Sequence, residues 1–91
     1  MLNLGAQIIY WKNSGQRDFE TAIDLFKTKH SDACLFFCHL ALEKTLKGLV
    51  LQQTAESVPF THDLEKLAIL ARIPLTEQQF NELRTIACQA I

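Results

Sequence analysis

The sequence predicts an all-α chain folded as an antiparallel up-and-down four-helix bundle. Three observations carry that expectation. Apolar residues recur at steps of three and four along most of the 91 residues. No stretch alternates apolar and polar residues in the manner of a half-buried strand, and no two-residue hairpin turn appears. The only two prolines, Pro59 and Pro74, both fall in segments that read as loops.

The first helix is expected over residues 4–29. Ile8, Trp11, Gly15, Ala22, Leu25 and Phe26 share one side, with Phe19 beside them. Gly15 weakens the middle by about 1 kcal/mol relative to Ala. It either breaks the helix near residues 13–15 or lets a neighbouring helix approach closely. "KTKHSD" reads as a turn, with Ser31 as N-cap and Asp32 placed favourably in the first turn of the next helix.

The second helix is expected over residues 32–53, apolar almost all round and therefore central. "TAESVPF" forms the following loop, closed by Pro59. Thr61 is expected to cap a short third helix over residues 62–71. After the "RIPL" loop, Thr76 and Gln79 make a capping box for a fourth helix carrying Phe80, Leu83, Ile86, Ala87 and Ala90. The apolar pattern runs to Ile91 without a Gly, Asn or basic cap. We therefore expect residues 1–91 to be a single helical domain cut short at its C-terminus.

Composition narrows the function classes. Nine Lys and Arg against ten Asp and Glu leave a near-neutral chain, unlike a strongly basic nucleic-acid binder. The longest apolar runs are far shorter than the roughly 18 residues of a membrane span. The N-terminus lacks the basic start and small-residue cleavage site of a secretory signal, so a cytoplasmic protein without a membrane partner is expected. Cys34, Cys38 and Cys88 lie in apolar surroundings and read as reduced, buried thiols. His30, Cys34 and Cys38 recur four apart on one helix face but lack a fourth ligand, so no metal is expected. No glycine-rich phosphate loop and no cofactor motif appears.

One stretch stands out. "FFCHLALEKTLKGLV" places His39, Glu43 and Lys47 at steps of four inside the most apolar segment. At 100° per residue they span about 80° of one helix face. Glu43 precedes Lys47 by four, the favourable order for an ion pair. Either these charges lie at helix edges with solvated heads, or they form a polar network inside the bundle. Asp18 shares the inward register of Trp11 and Gly15, and needs a cation such as Lys47 or Lys44 opposite it. His62 and Asp63 open the third helix and can approach the same end of the bundle.

Three stretches together resemble the HEPN domain family. "YWKNSGQRDFETAIDLF" is similar to the family's first helix. "ACLFFCHLALEKTLKGLVL" resembles its second-helix signature, with Ala41, Glu43, Lys44 and Lys47 filling an Ala-x-Glu-Lys-x-x-Lys pattern. "VPFTHDLEKL" resembles the Pro-x-Thr-His-Asp-Leu loop before its third helix. The resemblance implies a HEPN-like helical bundle that often forms homodimers. It also implies a nucleotide ligand or a minimal nucleotidyltransferase partner, sometimes within a toxin–antitoxin pair.

Two departures accompany the match. Related members continue the last helix into an Arg-Tyr stretch, which would begin about where this chain ends. The family's ribonuclease branch carries Arg, four to six residues, then His. Arg17, Arg72 and Arg84 have no His in that window. The sequence therefore points to binding rather than RNA cleavage, with no catalytic residue assigned. The alternatives are a structural dimerisation bundle and a HEPN-type ribonuclease acting on RNA. Candidate ligand contacts are Asp18, Glu43, Lys44, Lys47 and His62. Asp18, Glu43 and Lys47 are expected to lie together, with Glu43 at least half buried and Lys47 bonded to an acid.

Overall fold

A computed structural model describes residues 3–55, 58 and 60–90, with side chains described as far as Ile86. Its element order is α1 (Leu4–Lys27), α2 (Ser31–Thr54), α3 (Leu64–Leu70) and α4 (Glu77–Ala90), without a strand among the described residues. The expected four helices are all present. Pro59 as the close of the loop, Cys88 as a buried thiol and Ala87 and Ala90 as inward-facing residues, all expected from the sequence, lie outside the described residues or side chains.

Local chemistry sets the helix ends. Asn3 caps α1, its side chain accepting from the Ala6 N–H at 2.7 Å. α1 runs unbroken through Gly15. It ends in a Schellman arrangement: the His30 N–H reaches the Leu25 carbonyl, the Lys29 N–H reaches that of Phe26, and Lys29 takes a left-handed φ of 63°. This corrects the expected cap of α2. Ser31 is already helical, and His30 occupies the N-cap position without a side-chain cap bond. The His30 ring instead bonds the Thr28 hydroxyl.

The start of α3 also differs from expectation. Asp63, not Thr61, is its N-cap, accepting from the Lys66 N–H at 3.2 Å. Thr61 accepts instead from the Asp63 N–H. His62 stands just outside the helix, and its ring lies against Glu43. The capping box of α4 is present as predicted: the Gln79 N–H donates to Thr76 Oγ1, and Gln79 Oε1 accepts from the Thr76 N–H.

α2 is the hub, packing against α1, α3 and α4. Its dry side supplies Leu46 and Val50 to a core shared with Leu64, Leu67, Ala68 and Ala71; Phe80, Leu83 and Ile86 of α4 close over it. Fully burying each leucine stabilises by roughly 1.5–3 kcal/mol. α1 and α2 form a close antiparallel hairpin whose contact depends on two glycines. A Cβ at Gly15 would lie 2.8 Å from Thr45 Oγ1 and 3.2 Å from the Ala41 carbonyl; one at Gly48 would lie 3.3 Å from Trp11 Cβ. Gly15 thus serves close approach rather than a break.

Among the described residues, α1 packs on α2 alone and on neither α3 nor α4. Its outer flank carries exposed apolar side chains set among polar ones such as Lys12 and Gln16. Phe26 and Phe19, expected inward or beside the inward side, are 75% and 50% exposed, and Ile9 and Ile23 are exposed too. Phe26 lies at the last turn of α1, beside its Schellman end, where α2 offers it no covering surface. A groove of about 480 Å³ runs between this flank, α2 and the end of α4, lined by Phe19, Cys38, Leu42 and Ile86 among others. Cys34 and Cys38 are half-buried rather than buried, and both are free. Burial and the neighbouring Cys34 push the Cys38 thiol up, away from thiolate reactivity. Among the described residues, no helix is long and apolar enough to cross a membrane.

Candidate functional site

Opposite that groove, α2 turns its charged stripe toward α1 and the loop before α3. Glu43 is only 5% exposed. A carboxylate so placed needs partners, and it has them. Lys47 Nζ donates to Oε2 at 3.0 Å, one helical turn along. His62 Nδ1 lies 2.8 Å from Oε1, brought there by the loop that precedes α3. His39 Nε2 is 3.5 Å from the same oxygen, one turn back on α2. Trp11 of α1 covers Lys47, its ring centroid 5.5 Å from Nζ.

These partners decide the charge state. Burial pushes the Glu43 carboxyl up. The hydrogen bonds from His62 and Lys47, with their positive charge, outweigh it and hold the group below its ordinary value of 4.5. Glu43 is therefore an ionised, acceptor-only group at neutral pH. His39 is buried, and among the described residues its Nδ1 has no hydrogen-bond partner.

The five predicted contacts divide into two groups. Glu43, Lys47 and His62 meet, as expected from their spacing and from the position of His62. Asp18 pairs with Lys44, Oδ2 to Nζ at 2.6 Å, rather than joining Lys47. Lys44 and Lys47 are both inward on α2 but nearly a full turn apart, so one cation serves each acid. The expected three-residue cluster is therefore corrected to two separate ion pairs on neighbouring turns.

Two features were outside the sequence reading. The Trp11–Lys47 contact was half legible, since Trp11 already sat on the inward register. The bidentate pair of Arg84 with Glu65 was not legible at all. Arg84 Nε and Nη2 donate to Glu65 at 2.8 and 2.5 Å, and Nη1 donates to Asn81 at 2.7 Å. It ties α4 to α3, yet both residues sit on ordinary polar faces.

A comparison with protein-family models matches the HEPN domain over residues 8–89. The chain belongs to the HEPN domain family. No curated protein and no solved structure matches it. The matched span takes in α1 from Ile8 onward, both ion pairs and the loop carrying His62, so this HEPN chain's polar cluster lies wholly inside the family's domain.

Proposed function

We propose that this HEPN chain is a non-catalytic binding module that works by docking a protein partner on its α1 side. The carrying observation is the unpartnered flank of α1. Ile9, Phe19, Ile23 and Phe26 are exposed beside an apolar groove, and exposed patches of this kind mark interaction surfaces. A second copy of the chain and a minimal nucleotidyltransferase are the two partners the family implies, the latter within a toxin–antitoxin pair. A two-fold homodimer is the default symmetry for the first. Sedimentation of the wild type should give a species heavier than 10.4 kDa, or a heteromer with a co-expressed nucleotidyltransferase. Phe19→Glu should abolish either assembly while the helical signal stays unchanged. A monomer with no such partner, or a Phe19→Glu variant that still assembles, sinks this reading.

Nucleotide binding is the second reading, and one observation favours it: His62 stands exposed at the edge of a charged cluster. It ranks second because Lys44 and Lys47 are already held by Asp18 and Glu43, so a phosphate must compete with both carboxylates. Calorimetric titration with nucleotides at millimolar concentration separates the two. RNA cleavage has less support still, because the Arg–His pair of the ribonuclease branch is missing from the sequence.

A further inference from the structure

The three histidines occupy three different settings. His39 is buried. His30 is exposed, with Nδ1 2.9 Å from the hydroxyl of Thr28. The His62 side chain is 82% exposed, yet its Nδ1 is 2.8 Å from a carboxylate whose own side chain is 7% exposed. An ionised carboxylate only accepts hydrogen bonds, so Nδ1 carries a proton, and in the neutral ring the lone pair therefore falls on Nε2. Among the described residues no side chain engages Nε2. The imidazole is thus held in one tautomer from behind, with its nucleophilic nitrogen turned to solvent. That is the arrangement of an activated nucleophile: an attacking atom, and a rigid group that orients it and stabilises the charge it develops.

We propose that His62 is a phosphoryl-accepting histidine, with Glu43 as its positioning residue and donors of the phosphoramidate class as its reagents. The Nε2 lone pair forms a bond to phosphorus while the phosphorus–nitrogen bond of the donor breaks. The donor, protonated on nitrogen, leaves as neutral ammonia. The ring becomes an N-phosphorylated imidazolium that keeps its Nδ1 proton on Glu43. Charge is conserved, and the new positive charge on the ring faces the Glu43 carboxylate. Lys47, 3.0 Å from the other oxygen of Glu43, cancels the carboxylate's charge toward an incoming anion. Glu43 sits on the central helix, so the ring is held against a rigid element and not against another loop. This inference does not rest on partner binding.

His30 is an internal control, because it is exposed but backed only by a neutral hydroxyl. The probe is phosphoramidate with the full chain at neutral pH. Readouts are the acid-labile mass gain of one phosphoryl group, peptide mapping, and phosphorus–proton NMR to tell Nε2 from Nδ1 adducts. His62 should be modified roughly tenfold faster than His30, at Nε2, a rate ratio in keeping with one charge-assisted hydrogen bond. His62→Gln should remove the fast phase. Glu43→Gln should slow His62 to the rate of His30 and admit Nδ1 adducts, which a merely structural role for Glu43 would not do. Equal rates at His62 and His30 in the wild type overturn the proposal whatever the variants do. A fast phase that survives His62→Gln, or unchanged rate and regiochemistry in a folded Glu43→Gln variant, also overturns it.

Discussion

Two carboxylates in this molecule each meet a nitrogen-bearing side chain nineteen residues further along the chain, and their settings are opposite. Glu43 is buried on the central helix and gathers Lys47 and His62. Glu65 lies at the surface of α3 and takes the guanidinium of Arg84 in a bidentate fork. Both carboxyls are held below their ordinary range. For Glu65 the hydrogen bond from Arg84 is the largest cause; for Glu43 burial opposes the shift and its partners overcome it. By geometry alone the Arg84 fork is the better salt bridge. By consequence it is the lesser one, because water and salt solvate an exposed pair whether or not it forms. Breaking the buried cluster leaves a charge with nowhere to go. Burial, more than bond count, decides what each pair is for.

Lys47→Met has the largest expected effect. It leaves Glu43 buried without its cation and should cost about 3–5 kcal/mol in denaturant unfolding. A loss no larger than that of an average surface substitution would show that Glu43 is solvated and that the contrast is false.

Acid separates the two carboxyls next. The Glu43 pKa is lower folded than its ordinary value of 4.5, so its contribution is complete above that value and is lost as pH falls through the folded one. Glu65 acts with the same sign. Unfolding midpoints measured from neutral pH down to the acid limb should therefore drop below about pH 4.5. High salt should erase the share due to Glu65 and leave that due to Glu43. An acid limb that vanishes entirely in high salt would place Glu43 at the surface.

A double substitution, Glu43→Gln with Lys47→Met, should recover most of what Lys47→Met loses, ending within about 1 kcal/mol of the wild type. No uncompensated charge then remains inside. If partner binding is also intact in this variant, the cluster only sets helix register. If binding fails with the fold preserved, the cluster serves function directly.

Arg84→Ala closes the series with the smallest effect. It should move the unfolding midpoint only slightly, and by less as salt is raised. A large loss would mean that the fork clamps α4 onto α3 far more firmly than an exposed pair can.

Much of the fold was legible because helices are written locally. The Thr76–Gln79 box and the apolar periodicity of α2 depend on residues within a turn or two of each other. The caps of α2 and α3 were nonetheless misplaced. Ser31 lost the N-cap position because the end of α1 draws on His30 for its own closing hydrogen bond. Thr61 lost it to Asp63, whose carboxylate accepts the Lys66 N–H and starts the helix two residues later. In the polar cluster, Glu43 and Lys47 were readable as a pair from their spacing. The partner of Asp18 was not, since Lys44 and Lys47 both lie toward α1 and only the axial offset of the two helices chooses between them.

What the sequence determined by itself is therefore angular and short-range: four helices, most of their ends, the face each charge occupies, and the family. The tertiary structure alone decided which face meets which. It joined His62 to Glu43 and Arg84 to Glu65, sent Asp18 to Lys44, and left Phe19 and Phe26 uncovered. The physical reason is that periodicity fixes a side chain's direction about its own axis to within a few tens of degrees. The rotation and offset between helices come from packing, here from the close approach at Gly15 and Gly48, and are encoded by no single stretch of the chain.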